Sequence, residues 1–250
     1  MKYTQMLMLE LGHLCNLAKE HGACPTTTRK KVTVGMPLSQ IERVAIGSAA
    51  YKQHGFRGII GFHYYNEPML RAREVFDTML AIKDEVPMAR FILWTNGTIT
   101  PDDENMRLFD RIVCSNYKDD PSLDSYYRRF AGNVQVNPAN GNWAFDGRIE
   151  DWHNNGIDNR PCLRPLIEFI VDDWGNGRIC CQDWHGDVVL GNVRDEGGFA
   201  SMLDRRRAML ETICRPMNDN TSKRCRRCSA KAGPVPFDPL IYQDGIVHYQ

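Results

Sequence analysis

Cysteine is the residue type on which this sequence spends most of its chemistry. Nine are spread over 250 residues, at positions 15, 24, 114, 162, 180, 181, 214, 225 and 228. Cys15 and Cys24 sit behind the short apolar run MLMLELG, with eight residues between them. Two thiols on a loop that follows a strand are a common way to begin a metal site, and a complete centre needs three or four ligands. The second half carries six of the nine. There Cys225 and Cys228 form a close pair on one tight turn, and Cys162 and Cys180 lie at the far ends of an expected hairpin. Four thiolates suit zinc or a [4Fe–4S] cluster. Cys180, Cys181 and Cys214 also read as buried thiols of a small core.

The elements that position these residues follow from periodicity and caps. MLMLELG (6–12) reads as a strand. Ser39 with Glu42 three residues later is a capping box that opens a helix running to Gly55. Strands are expected at 57–65, 89–97, 111–117 and 133–138. Helices are expected at 68–86 and from the Thr100-Pro101 cap, with a short one from Ser122. Repeated strand–helix units imply α/β architecture, with a parallel sheet and helices on its outer face. So few units suggest a partial (β/α)6 barrel rather than a complete eight-unit one.

After Pro138 the composition shifts to Asn, Gly and Asp. IEFIVDDWGNGRICC reads as a hairpin turning between Asp173 and Gly177, GDVVLGNV as a turn and strand, FASMLDRRRAMLETI as a helix and KRCRRC as a loop. The expected division is a barrel at 1–149, a small α+β module at 150–234 and a tail at 235–250. The chain holds 31 basic and 31 acidic residues, so no global electrostatic attraction to nucleic acid or a membrane is expected. No apolar run approaches the length of a membrane span, and the N-terminus lacks a signal-peptide pattern. A cytoplasmic protein is expected, whose thiols are metal-binding or catalytic rather than disulfide-bonded.

Three segments in order resemble the radical S-adenosylmethionine (radical SAM) family: the strand leading to Cys15-Asn16, Tyr65-Asn66-Glu67-Pro68, and Thr95-Asn96-Gly97. The cysteine-rich second half resembles that family's shortened auxiliary-cluster module, the twitch form of the SPASM domain. The resemblance implies two [4Fe–4S] clusters. One is held by Cys15 and Cys24 with a third ligand, for which His21 is the first candidate and Cys114 or His13 are alternatives. The other is held by Cys162, Cys180, Cys225 and Cys228, with Cys181 able to replace Cys180. It implies that Glu67 receives the methionyl ammonium of S-adenosylmethionine, and that Asn66, Thr95, Asn96, Gly97 and Ser115 contribute to the same binding.

In the dehydrogenase-like members an arginine ahead of the auxiliary module contacts substrate, and Arg148 occupies that place here. His63, Tyr64 and Tyr65 could line the pocket or fill the core. The basic groups Arg205-Arg206-Arg207 and Arg224, Arg226, Arg227 could meet an anionic substrate or lie solvated. The activity implied is reductive cleavage to a 5′-deoxyadenosyl radical that takes a hydrogen from a small-molecule, peptide or nucleotide substrate. A flavodoxin- or ferredoxin-type protein would be the electron donor. Asn66 stands where the family has Gly, and Lys19 and Gly22 stand where its Cys-x3-Cys-x2-Cys loop has later cysteines. Two other classes fit the residues: a scaffold that keeps the fold but not the radical chemistry, and a zinc module on an α/β domain.

Overall fold

In this computed structural model the described residues are 1, 4–18, 26, 36–138, 157, 159–183, 186 and 188–228. They build one eight-stranded sheet in the order β5-β4-β3-β2-β1-β6-β7-β8. The strands are β1 (Met6–Leu9), β2 (Ile59–Gly61), β3 (Phe91–Thr95), β4 (Arg111–Asn116), β5 (Asn133–Pro138), β6 (Glu168–Val171), β7 (Asn176–Arg178) and β8 (Val189–Asn192). β1 to β6 run parallel to one another, and β7 and β8 join antiparallel beyond β6. The sixth parallel strand lies against β1 rather than beyond β5. Strand order therefore reverses at β1, and the hairpin of the second half extends the same sheet.

The two faces separate by the alternation of side chains along each strand. Leu7, Leu9, Ile60, Phe62, Phe91, Leu93, Ile112, Phe169 and Val171 pack under the helices in the main core. Met6, Met8, Ile59, Ile92, Val113 and Ile170 form a smaller cluster on the opposite, inner face. Burial on both sides explains why β1 is apolar at every position.

The outer helices are α1 (Gln40–Gln53), α2 (Ala72–Glu85), α3 (Leu123–Arg128), α4 (Arg164–Ile167), α5 (Gly198–Ile213) and α6 (Lys223–Arg227). The Ser39 capping box forms in both directions: Ser39 Oγ accepts from the Glu42 amide, and Glu42 accepts from the Ser39 amide. The helix expected from Pro68 begins as a 3-10 turn over Pro68–Arg71, because the Glu67 side chain caps Met69 and Arg71 leaves the helical region. The helix expected at Thr100 is displaced to a 3-10 turn at Glu104–Leu108, capped by Asp103. The Pro101 carbonyl is instead taken by the Tyr126 hydroxyl at 2.5 Å. KRCRRC is a helical turn through Cys225, not a loop.

Arg206 departs from both readings of the basic patches. It is buried on α5, with Nη1 donating to Thr4 Oγ1 and Nη2 to the carbonyls of Pro165, Leu166 and Glu168. Its guanidinium lies over the Phe169 ring, and burial pulls its pKa down to about 10. This arginine docks α5 onto the sheet. Among the described residues no helix is long and apolar enough to cross a membrane.

Candidate functional site

Ligands of open parallel sheets bind at the carboxyl edge of the strands, at the point where strand order reverses. Here that edge carries the segments after β1, β2 and β3. Glu67 follows β2 and is 3 % exposed. Its Oε1 accepts from the Met69 amide at 3.0 Å and from Thr95 Oγ1 at 2.9 Å, and its Oε2 accepts from the Asn96 amide at 2.7 Å. Burial raises its pKa, and the three hydrogen bonds oppose that rise. Glu67 is thus not a solvated loop carboxylate. The Glu67 amide also donates to the Leu14 carbonyl at 2.8 Å, which ties the β2 end to the residue before Cys15.

Cys15 and Asn96 meet at this edge. Asn96 Nδ2 lies 3.8 Å from Cys15 Sγ and 2.9 Å from Asn16 Oδ1. Asn96 Oδ1 accepts from the Thr98 amide at 3.0 Å and from Thr98 Oγ1 at 2.5 Å, and Asn16 Nδ2 donates to Thr98 Oγ1 at 2.6 Å. Thr95 and Asn96 thereby join the Glu67 carboxylate to the Cys15 thiol. Gly97 has φ +72, and a Cβ there would stand 2.7 Å from both Cys114 Sγ and Leu123 Cδ1. Glycine is required at that turn by conformation and by space.

Asn66 adds a brace beside this network. It is buried, and its Nδ2 donates to the carbonyls of Leu11 and Phe62, while its Oδ1 accepts from the Tyr64 amide. Its side chain braces the ends of β1 and β2, which a glycine cannot do. Ser115 lies across from Asn137 on β5, half-buried, two strands from β2. Cys24, His21 and Arg148 lie outside the described residues.

Sequence reasoning missed a second cluster, where β1 meets β6. Asp173 Oδ1 accepts from Arg43 Nη2 at 2.5 Å and from the Gly12 amide at 3.0 Å. Glu10 accepts from the amides of Tyr65 and Asp173, and Arg43 Nε donates to the Glu10 carbonyl. His13 Nδ1 stands 3.9 Å from Asp173 Oδ2, with its ring stacked on Trp174. The available signal was Glu10 interrupting an apolar run; Asp173 reads in sequence only as a turn residue. The wall of polar side chains on the inner face of β4 and β5 was missed as well. There Arg111 Nη2 donates to Gln135 Oε1, and Gln135 Nε2 donates to Asn137 Oδ1.

The Tyr64 hydroxyl donates to the Asp183 carbonyl at 3.1 Å, and the Tyr65 hydroxyl donates to the Cys181 carbonyl. These bonds clamp the β2 end to the segment after β7. Burial pushes the Tyr65 phenol well up and the His63 imidazole down.

The described residues do not support the four-thiolate centre expected in the second half. Among the described residues no group of three or more His, Cys, Asp or Glu side chains could hold a metal ion. Cys162 is buried, with its amide on the Ile213 carbonyl and its own carbonyl 3.4 Å from Cys214 Sγ. Burial, with the neighbouring Glu168 carboxylate, pushes the Cys180 and Cys181 thiols well up. The Cys181 amide is engaged by Glu168 Oε1, and Arg164 Nη1 points at its sulfur at 3.6 Å.

Fold and edge together define an α/β protein with a mostly parallel, partial-barrel sheet. No family model matches the chain, and no curated protein matches it. Among solved structures it is similar to the crystal structure of BtrN in complex with AdoMet and 2-DOIA. The identity is 20 %, the TM-score 0.68, and the match covers 90 % of this chain and 93 % of that one. Selenomethionine BtrN in an open conformation gives 18 % identity and a TM-score of 0.64, over 90 % and 92 %. These comparisons correct the family reading. At such identity the likeness is one of fold. Membership of the radical SAM family with a twitch-type module is not carried by any family or sequence match, nor by a second metal centre.

Proposed function

We propose that the chain binds S-adenosylmethionine at the carboxyl edge of β1 to β3 and uses it in radical-type oxidoreductase chemistry. The observation that carries this reading is the hydrogen-bonded convergence of Cys15, Glu67, Thr95 and Asn96 at that edge. The similarity of fold to BtrN, seen with AdoMet, supports it.

The donor chemistry fits a thiolate-bound iron–sulfur cluster at Cys15. Its half-buried sulfur faces an amide N–H donor, which a coordinated thiolate accepts. Further ligands would come from Cys24 and His21. Such a cluster, when bound, supplies the electron for reductive C–S cleavage. Glu67 holds a fixed carboxylate for the methionyl ammonium, oriented by three donors before any ligand arrives. Three of its roughly four lone-pair sites are used, which leaves one for the ligand. The bonds from Tyr64 and Tyr65 hold the segment after β7 against the end of β2, where it would help exclude water from a bound ligand. The polar wall of Arg111, Ser115, Gln135 and Asn137 suits a small polar substrate, and BtrN is seen with a second molecule, 2-DOIA, together with AdoMet.

Calorimetric titration with S-adenosylmethionine tests the reading. Saturable binding to the anaerobically reconstituted chain, weakened at least tenfold in Glu67→Ala, is expected. Equal affinity in wild type and Glu67→Ala, or no binding by an iron-loaded chain, overturns it.

A further inference from the structure

We propose that Asn96 is a positioning residue that sets the reduction potential of the cluster at Cys15 through an N–H···S hydrogen bond. The inference rests on the cluster reading above. Its geometry is independent of any bound group. An asparagine amide can face either way, and here Thr98 decides. Both Thr98 donors, the amide and the hydroxyl, go to Asn96 Oδ1. The Nδ2 end is therefore fixed toward Asn16 Oδ1 at 2.9 Å and Cys15 Sγ at 3.8 Å. Asn16 closes the ring by donating to Thr98 Oγ1. The Asn96 backbone is held from the other side, its amide donating to the buried Glu67 carboxylate. Amide, thiol and carboxylate are thus parts of one rigid unit, and the N–H cannot turn away without breaking two bonds to Thr98.

The physical consequence has a definite sign. A hydrogen bond to a ligating sulfur withdraws electron density from it and favours the reduced, more negative cluster. Asn96 accordingly raises the potential, and its removal lowers it. The effect is distinct from binding S-adenosylmethionine, because the side-chain N–H is spent on the thiol and its neighbour rather than on a ligand.

The test is an anaerobic redox titration of the full reconstituted chain, followed by electron paramagnetic resonance, with iron counted in each sample. Asn96→Leu and the near-isosteric Asn96→Asp, both folded by circular dichroism and both loaded with iron, are expected to titrate at more negative potential than wild type. Pulsed resonance in D2O should show an exchangeable deuteron coupled to the wild-type cluster and absent from Asn96→Leu. Thr98→Val, which frees the amide to turn, should shift the potential the same way by less. It decides the matter if the Asn96 variants lose iron. Unchanged potentials in iron-loaded variants overturn the inference and leave the cluster reading standing. A wild-type chain that takes up no iron overturns both.

Discussion

The carboxyl edge of β1 to β3 and the cysteine-bearing second half were equally promising in sequence, and the fold treats them differently. At the edge, polar side chains from separate segments satisfy one another: Glu67 with Thr95 and Asn96, and Asn96 with Cys15, Asn16 and Thr98. In the second half the described thiols sit in apolar surroundings or beside a carboxylate. Cys214 Sγ meets the Cys162 carbonyl, Arg164 Nη1 meets Cys181 Sγ, and Cys180 lies near Cys181 and Cys225 without forming a metal site among the described residues. Spacing along the chain marks which residues can converge. Whether they do depends on what else buries them.

The comparison can be broken at several points. The largest effect is expected at the β1–β6 junction, which holds the edge in place. Asp173→Ala leaves the Arg43 guanidinium buried with its closest carboxylate gone, and should cost about 3–5 kcal/mol in urea unfolding. Gly97→Ala forces a side chain into a left-handed turn against Cys114 and Leu123, and should cost about 1–3 kcal/mol while disturbing the Asn96 turn.

Glu67 gives the pH dependence. Its folded pKa is raised, so the folded state holds the proton more tightly than the unfolded chain. Its contribution to stability is complete below the ordinary value of 4.5 and is lost as pH rises through the raised folded value. Glu67→Gln, with no charge to bury, should flatten that decline when unfolding is followed from pH 4 to neutrality. The smallest effect is expected in the second half. Cys214→Ala removes one weak bond to the Cys162 carbonyl and should cost about 0.5–1.5 kcal/mol.

Much of the fold was legible. The Ser39–Glu42 box, the alternation of strands and helices and the parallel sheet follow from patterns of fewer than ten residues. The place of β6 beside β1 did not, because strand order is a long-range property that periodicity does not encode. In the site, Glu67, Thr95, Asn96 and Cys15 were identified from motif order, and the structure brings them together. Asn66 was read as part of a ligand motif; that its side chain braces β1 and β2 was not legible, since only coordinates show where its amide points. The Glu10–Asp173–Arg43 cluster joins residues more than 100 positions apart, and no local pattern announces it.

The measurement that tests the edge most directly is formation of 5′-deoxyadenosine by the reconstituted, chemically reduced chain given S-adenosylmethionine, compared with Cys15→Ala. Product from the wild type and none from Cys15→Ala is the predicted result. Equal product from both, or an iron-loaded wild type that yields none, would contradict it.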